Sequence, residues 1–136
     1  MAVTYSSSLK TNRLNLVVNA LGTATAPTIS VTGTAAGNLV IGTSSLSGAT
    51  GVLATIPLSI TPATVSGSVL TISGVPLSAT AAATGTAALA ELRNNAGTVI
   101  VSGLTVGTSG TDITISSTAI TSGQTVQVTS GTITHG

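Results

Sequence analysis

Cysteine, phenylalanine and tryptophan are absent, and Tyr5 is the sole tyrosine. Without cysteine there is neither a disulfide nor a thiolate metal site. Large aromatics bury the most area per side chain, so a core lacking them has to be built from Val, Ile, Leu and Ala and is expected to be modest. Charge is scarce too. Lys10, Arg13, Glu91, Arg93 and Asp112 are the whole set, 4% of 136 residues, where a soluble domain carries about a quarter. A net charge of +1 lacks the clustered cations that neutralise phosphates, which excludes the footprint of a nucleic-acid binder. A membrane-surface role lacks its basic face. The longest apolar stretches, Leu14 to Leu21 and Val52 to Leu58, fall well short of the roughly 20 residues that span a bilayer.

Polarity comes from Ser, Thr and Gly instead, in a chain whose mean hydropathy is +0.65. So little like-sign repulsion does not keep copies or neighbours apart. A chain of this kind is expected to persist on other protein surfaces or as a homo-oligomer, gaining stability from partners that bind its folded form. Met1 to Tyr5 has neither the basic nor the apolar region of a secretory signal, and the expectation is folding in a bacterial or host cytoplasm.

The length fits one domain, residues 1–136, with an N-terminal arm and helix over 1–22 and a β-sandwich over 23–136. Ser6, Ser7 and Ser8 supply capping hydroxyls. Leu14, Val17, Val18 and Leu21 then fall at helical spacing, which predicts a helix over Leu9 to Leu21 with Gly22 as its C-cap. Lys10 and Arg13 are expected on or near the side opposite that apolar face.

From Thr23 the period changes to two, with β-branched residues between Gly, Pro, Asn and Ser breaks. The segments read as strands are Thr28–Thr32, Asn38–Ile41, Val52–Ile56, Thr64–Val65, Val69–Ser73, Thr98–Val101, Leu104–Val106, Asp112–Ile115, Thr125–Val128 and Thr132–Thr134. Pro57 marks an edge or a bend. Ala79 to Ala83 suits a loop or a frayed helical turn. Ala88 to Arg93 fits a helix or a strand, and the turn Asn94-Asn-Ala-Gly97 before Thr98 resolves it as a hairpin with Glu91 and Arg93 on its solvent side. Spacing of roughly 8–12 residues marks a sandwich or barrel. The predicted class is all-β: an antiparallel β-sandwich or jelly-roll-like barrel with one short N-terminal α-helix.

Candidate chemistry is sparse. His135 is the lone histidine, and pairing it with Asp112 and an arbitrary serine lacks a nucleophile-elbow motif. One His, one Asp and one Glu make no ordinary metal shell. No enzyme activity, cofactor or metal is therefore expected. Asp112, at a strand start after Gly110-Thr111, reads as a turn cap acting on its own backbone. The runs Thr23-Ala-Thr25 and Thr132-Ile-Thr134 lack the repeat that an ice-binding ladder requires. The candidates for partner contact are Tyr5, Lys10 and Arg13: a single aromatic before the helix, and two of the three cations clustered on it. The cations suit a solvated helix face or a contact with an acidic partner surface, and Tyr5 suits a hydrophobic staple before the helix or an interface anchor.

The stretch from Thr84 to Gly136 resembles a family of small tailed-bacteriophage virion structural proteins. The likeness is carried by Ala88-Leu-Ala-Glu-Leu-Arg-Asn-Asn-Ala-Gly97, by Val101-Ser-Gly-Leu-Thr-Val-Gly-Thr108, by Ser122-Gly-Gln-Thr-Val126 and by Thr132-Ile-Thr-His-Gly136. The opening Met1-Ala-Val-Thr-Tyr-Ser6 is similar as well, and Thr23 to Gly37 is extra length. The resemblance implies a small all-β protein on the capsid exterior, a decoration or cement protein partnered by the major capsid protein and by copies of itself. A tail or head–tail junction component, including a receptor-binding fibre tip, is the alternative, and a small surface-binding β module is a third. The likeness transfers no active site.

Overall fold

The computed structural model describes residues 4–21, 37–58, 63–72, 75–94 and 97–134. The predicted strand Thr28–Thr32, the cap Gly22, and Pro27, Pro62 and His135 lie outside them. The elements are α1 (Ser7–Leu21), β1 (Asn38–Ser47), β2 (Thr50–Pro57), β3 (Ala63–Ser66), β4 (Val69–Ile72), β5 (Leu77–Thr80), β6 (Gly85–Thr86), β7 (Leu89–Arg93), β8 (Val99–Gly107), β9 (Ile113–Ile115), β10 (Ala119–Ile120) and β11 (Thr125–Thr134).

The predicted all-β class with one N-terminal helix is the observed one. Nine strands form one sheet in the order β2-β1-β7-β8-β9-β11-β4-β3, with β5 also paired to β11. β6 and β10 make a separate small ladder. The alternation of Val, Ile or Leu with Thr explains the sheet locally. Along β11, Val126 and Val128 are buried while Thr125, Gln127 and Thr129 face water, the period of two that a pleated strand imposes. One apolar cluster gathers Leu14 of α1 with residues of β1, β2, β3, β4, β7, β8, β9 and β11. The sheet coils around it until β2 comes against β5. There the Ala82 N–H donates to the Leu53 carbonyl at 2.8 Å, but no ladder joins the two strands, so the barrel does not close.

Three local expectations change. Thr98–Val101 and Leu104–Val106 are one strand, β8, and Gly103 is a bulge within it rather than a break. Ser102 and Gly103 together oppose Glu91, between the pairs Ala90↔Leu104 and Leu92↔Val101. The positive φ of Gly103, 74°, is the conformation such a bulge asks of glycine. Likewise Thr125–Val128 and Thr132–Thr134 are continuous in β11, with an irregularity between Val128 and Ser130. Residues of the expected alanine-rich loop, Ala79 and Thr80, belong to strand β5, paired to Val126 and Thr125.

The sheet is also not wholly antiparallel, because β8 and β9 pair in parallel, Val106 with Ile113 and Gly107 with Thr114. Parallel neighbours ordinarily need a crossover of about a dozen residues, yet only residues 108–112 lie between these strands. Asp112 holds the tight return. Its carboxylate accepts the Thr105 N–H at 3.0 Å and the Thr105 hydroxyl at 3.1 Å, and its own N–H donates to that hydroxyl oxygen at 3.1 Å. Its carbonyl accepts from Thr132 N–H at 2.9 Å. The expected cap on its own turn is thus a clamp reaching back to β8. Asp112→Ala is expected to lower the unfolding free energy by about 1–2 kcal/mol and Asp112→Asn by less, both read from urea denaturation. An alanine variant as stable as the parent contradicts the clamp.

Candidate functional site

The helix opens where its serines allow. Ser6 Oγ accepts the Leu9 N–H at 3.2 Å, and the Ser6 carbonyl accepts the first helical bond from Lys10 N–H at 3.1 Å. These are the side-chain cap and backbone start of an N-cap residue. The helix therefore begins at Ser7, two residues before the expected start at Leu9. It lies against β3, β4 and β8. Leu14 reaches the main core at 3% exposure, and Val17 packs against that core. The side chains at 18 and 21, predicted on the same face, lie outside what is described. The Thr11 hydroxyl donates to the Gly67 carbonyl in the turn between β3 and β4. One side of α1 is thereby pinned to the sheet.

The other side carries an apolar stripe. Leu9 and Leu16, seven residues apart and so nearly in line on a helix, are 40% and 46% exposed. Tyr5, 37% exposed, precedes Leu9 by four positions. The Arg13 guanidinium stands over the Tyr5 ring, 4.2 Å from its centroid, a cation–π stack that holds the aromatic against the helix. Among the described residues, the exposed large apolar side chains are these three with Val75 and Val99. Most of them therefore share one short segment.

Two of the three predicted contact residues, Tyr5 and Arg13, are brought together by this geometry. Lys10 is placed differently from expectation. At four and seven positions from Leu14 and Val17 it shares their side of the helix and is half-buried. The sequence reading missed Leu16 altogether and did not place Leu9 on a face. Their seven-residue spacing, off the Leu14 face, was the available signal.

The second charged cluster also departs from expectation. Glu91 is not on the solvent side: it is 7% exposed and bonds the Arg93 guanidinium at 2.6 Å. The same Arg93 nitrogen donates to the Gly48 carbonyl at 2.7 Å. The reason is the β1–β2 hairpin. Its ladder is irregular after Ile41 and again after Gly42. Leu46 packs so closely on Gly42 that a Cβ there would lie 2.6 Å from Leu46 Cδ1. The hairpin tip thus curls back toward β7, where Arg93 holds its turn. On the strand face shared by Glu91 and its ladder partner Val40, Val40 is buried as well.

Among the described residues there is no pocket and no group of three or more metal-ligating side chains. No helix among them is long and apolar enough to cross a membrane. No protein-family model matches the chain, and no curated protein and no solved structure matches it.

Proposed function

We propose that the chain is a structural virion protein of a tailed bacteriophage, a capsid decoration or cement protein that binds the outer shell surface. The observation that carries this reading is the exposed stripe of Tyr5, Leu9 and Leu16 on a helix whose opposite side is fastened to the body. An apolar stripe of this kind is a ready anchor for another protein's groove. It belongs to a chain with five charged side chains in all, which presents Thr and Ser to water and offers little repulsion to a neighbouring subunit. The resemblance of Thr84 to Gly136 to small virion proteins supports the same reading.

The mechanism is linkage. A protein that binds the assembled shell and not its separated subunits shifts the equilibrium toward assembly. Many copies at symmetry-related positions, touching the major capsid protein and one another, clamp adjacent capsomers. The chain works as a fastener on the virion, with no reaction of its own.

Copy number tests the assignment. Stained gels of purified virions are expected to show this chain at a stoichiometry comparable to the shell subunit. A few copies per particle assign it to the tail or head–tail junction instead, and its absence from virions overturns the reading.

A further inference from the structure

We infer that the outward face of α1 docks into an apolar groove bordered by Asp or Glu on a different protein, and not on a second copy of this chain. The inference rests on the reading that the chain works bound to a larger protein, and it specifies that partner's chemistry.

Charge decides the occupant. Residues 4–21 hold no acidic residue, and of their two cations Arg13 borders the outward face while Lys10 shares the inward one. Leu9, Arg13 and Leu16 follow one another at four and three positions, so the guanidinium borders the same stripe as the leucines. A two-fold contact between copies would face this stripe with itself, bringing two Arg13 guanidinia together without one carboxylate. A head-to-tail contact fares no better. The chain's side-chain carboxylates are Glu91 and Asp112, and both are engaged in its own body. Glu91 is held by Arg93 and Asp112 by Thr105, so neither forms an acidic rim beside an apolar groove. A lipid surface calls for a broad basic face, which one guanidinium beside the stripe does not make. What remains is a partner with an apolar floor for Leu9, Leu16 and the Tyr5 ring, and carboxylates at its margin. In this helix-in-groove arrangement the leucines supply affinity, and Arg13 supplies encounter rate and register.

The test is photocrosslinking in the cells that naturally make the protein. The full chain carries p-benzoylphenylalanine in place of Leu16 or, as a reference on exposed sheet surface, in place of Thr125. The crosslinked peptides are sequenced by mass spectrometry. The expected result is a product from position 16, stronger than from position 125, joining a different protein at an apolar segment flanked by Asp or Glu. In the same assay Leu9→Ser/Leu16→Ser and Arg13→Glu, with the photoprobe moved to Asn12, each lower the yield about tenfold, with circular dichroism unchanged. Crosslinks to a second copy, to lipid or to a patch without acidic residues overturn the inference. So does a yield from position 16 no greater than from position 125. A partner that is not a shell protein overturns the virion reading and leaves the docking face standing, so the two failures are distinguishable.

Discussion

Arg93→Met is expected to lower the unfolding free energy by about 3–5 kcal/mol, the largest loss foreseen for any single polar substitution here. The native pair is costly to bury, since both partners leave water. Its side chains are 15% and 9% exposed for Arg93 and Glu91. Removing the guanidinium strands the Glu91 carboxylate beside Val40 with its counter-charge gone. It also removes the donor to the Gly48 carbonyl, so the curled hairpin loses its latch. Two further outcomes separate these effects. Glu91→Leu added to Arg93→Met restores most of the lost stability, because an apolar pair of similar size replaces a buried ion pair with little penalty. Hydrogen exchange at the tip, Ser47 to Thr50, stays fast in the double variant because the latch is still missing. An Arg93→Met protein as stable as its parent contradicts the buried pair, and unchanged exchange at the tip contradicts the latch.

The second large effect is in the aliphatic core. Leu39 has 0% exposure on β1, between β2 and β7. Leu39→Ala is expected to cost about 2–5 kcal/mol, the transfer energy of the lost methyl and methylene groups plus the cavity they leave. No aromatic ring is available to shift into the gap, because the core cluster contains only Leu, Ile, Val and Ala. Thr71→Ala, on the exposed face of β4, is expected to stay within about 0.5 kcal/mol of the parent. Thermal or urea denaturation checks both, and equal costs at the two positions contradict the assigned inward and outward faces.

The strands were legible because Val and Thr alternate so regularly. Val69 to Ile72 and Thr125 to Val128 carry inward and outward residues in the expected order. The edge at Pro57 was legible for the same kind of reason: proline ends β2, an outermost strand. Glycine was where the reading failed. Gly97 does stand in the turn between β7 and β8, but Gly103 and Gly131 lie inside strands. Gly131 makes room for neighbours: a Cβ there would come within 2.7 Å of Ile72 Cδ1 and 3.1 Å of Ile113 Cδ1. A one-dimensional pattern does not distinguish a glycine that turns the chain from one that lets isoleucines approach. The parallel β8–β9 return was hidden because it depends on Asp112 reaching Thr105 across the sheet. The burial of Glu91 was hidden because it depends on a hairpin tip folding back from another strand pair. The exposed stripe on α1 was half legible. Scarcity alone singled out Tyr5 and Arg13, whereas Leu9 and Leu16 became visible only once Leu14 and Val17 were seen to take the inward side.

The most direct measurement is the thermal disruption of shells carrying the chain, shells stripped of it, and stripped shells reloaded with Leu9→Ser/Leu16→Ser protein. The account predicts that the wild-type chain raises the disruption temperature, and that the double variant, folded but unable to dock, leaves it at the stripped value. Equal disruption temperatures with and without the wild-type chain would contradict it.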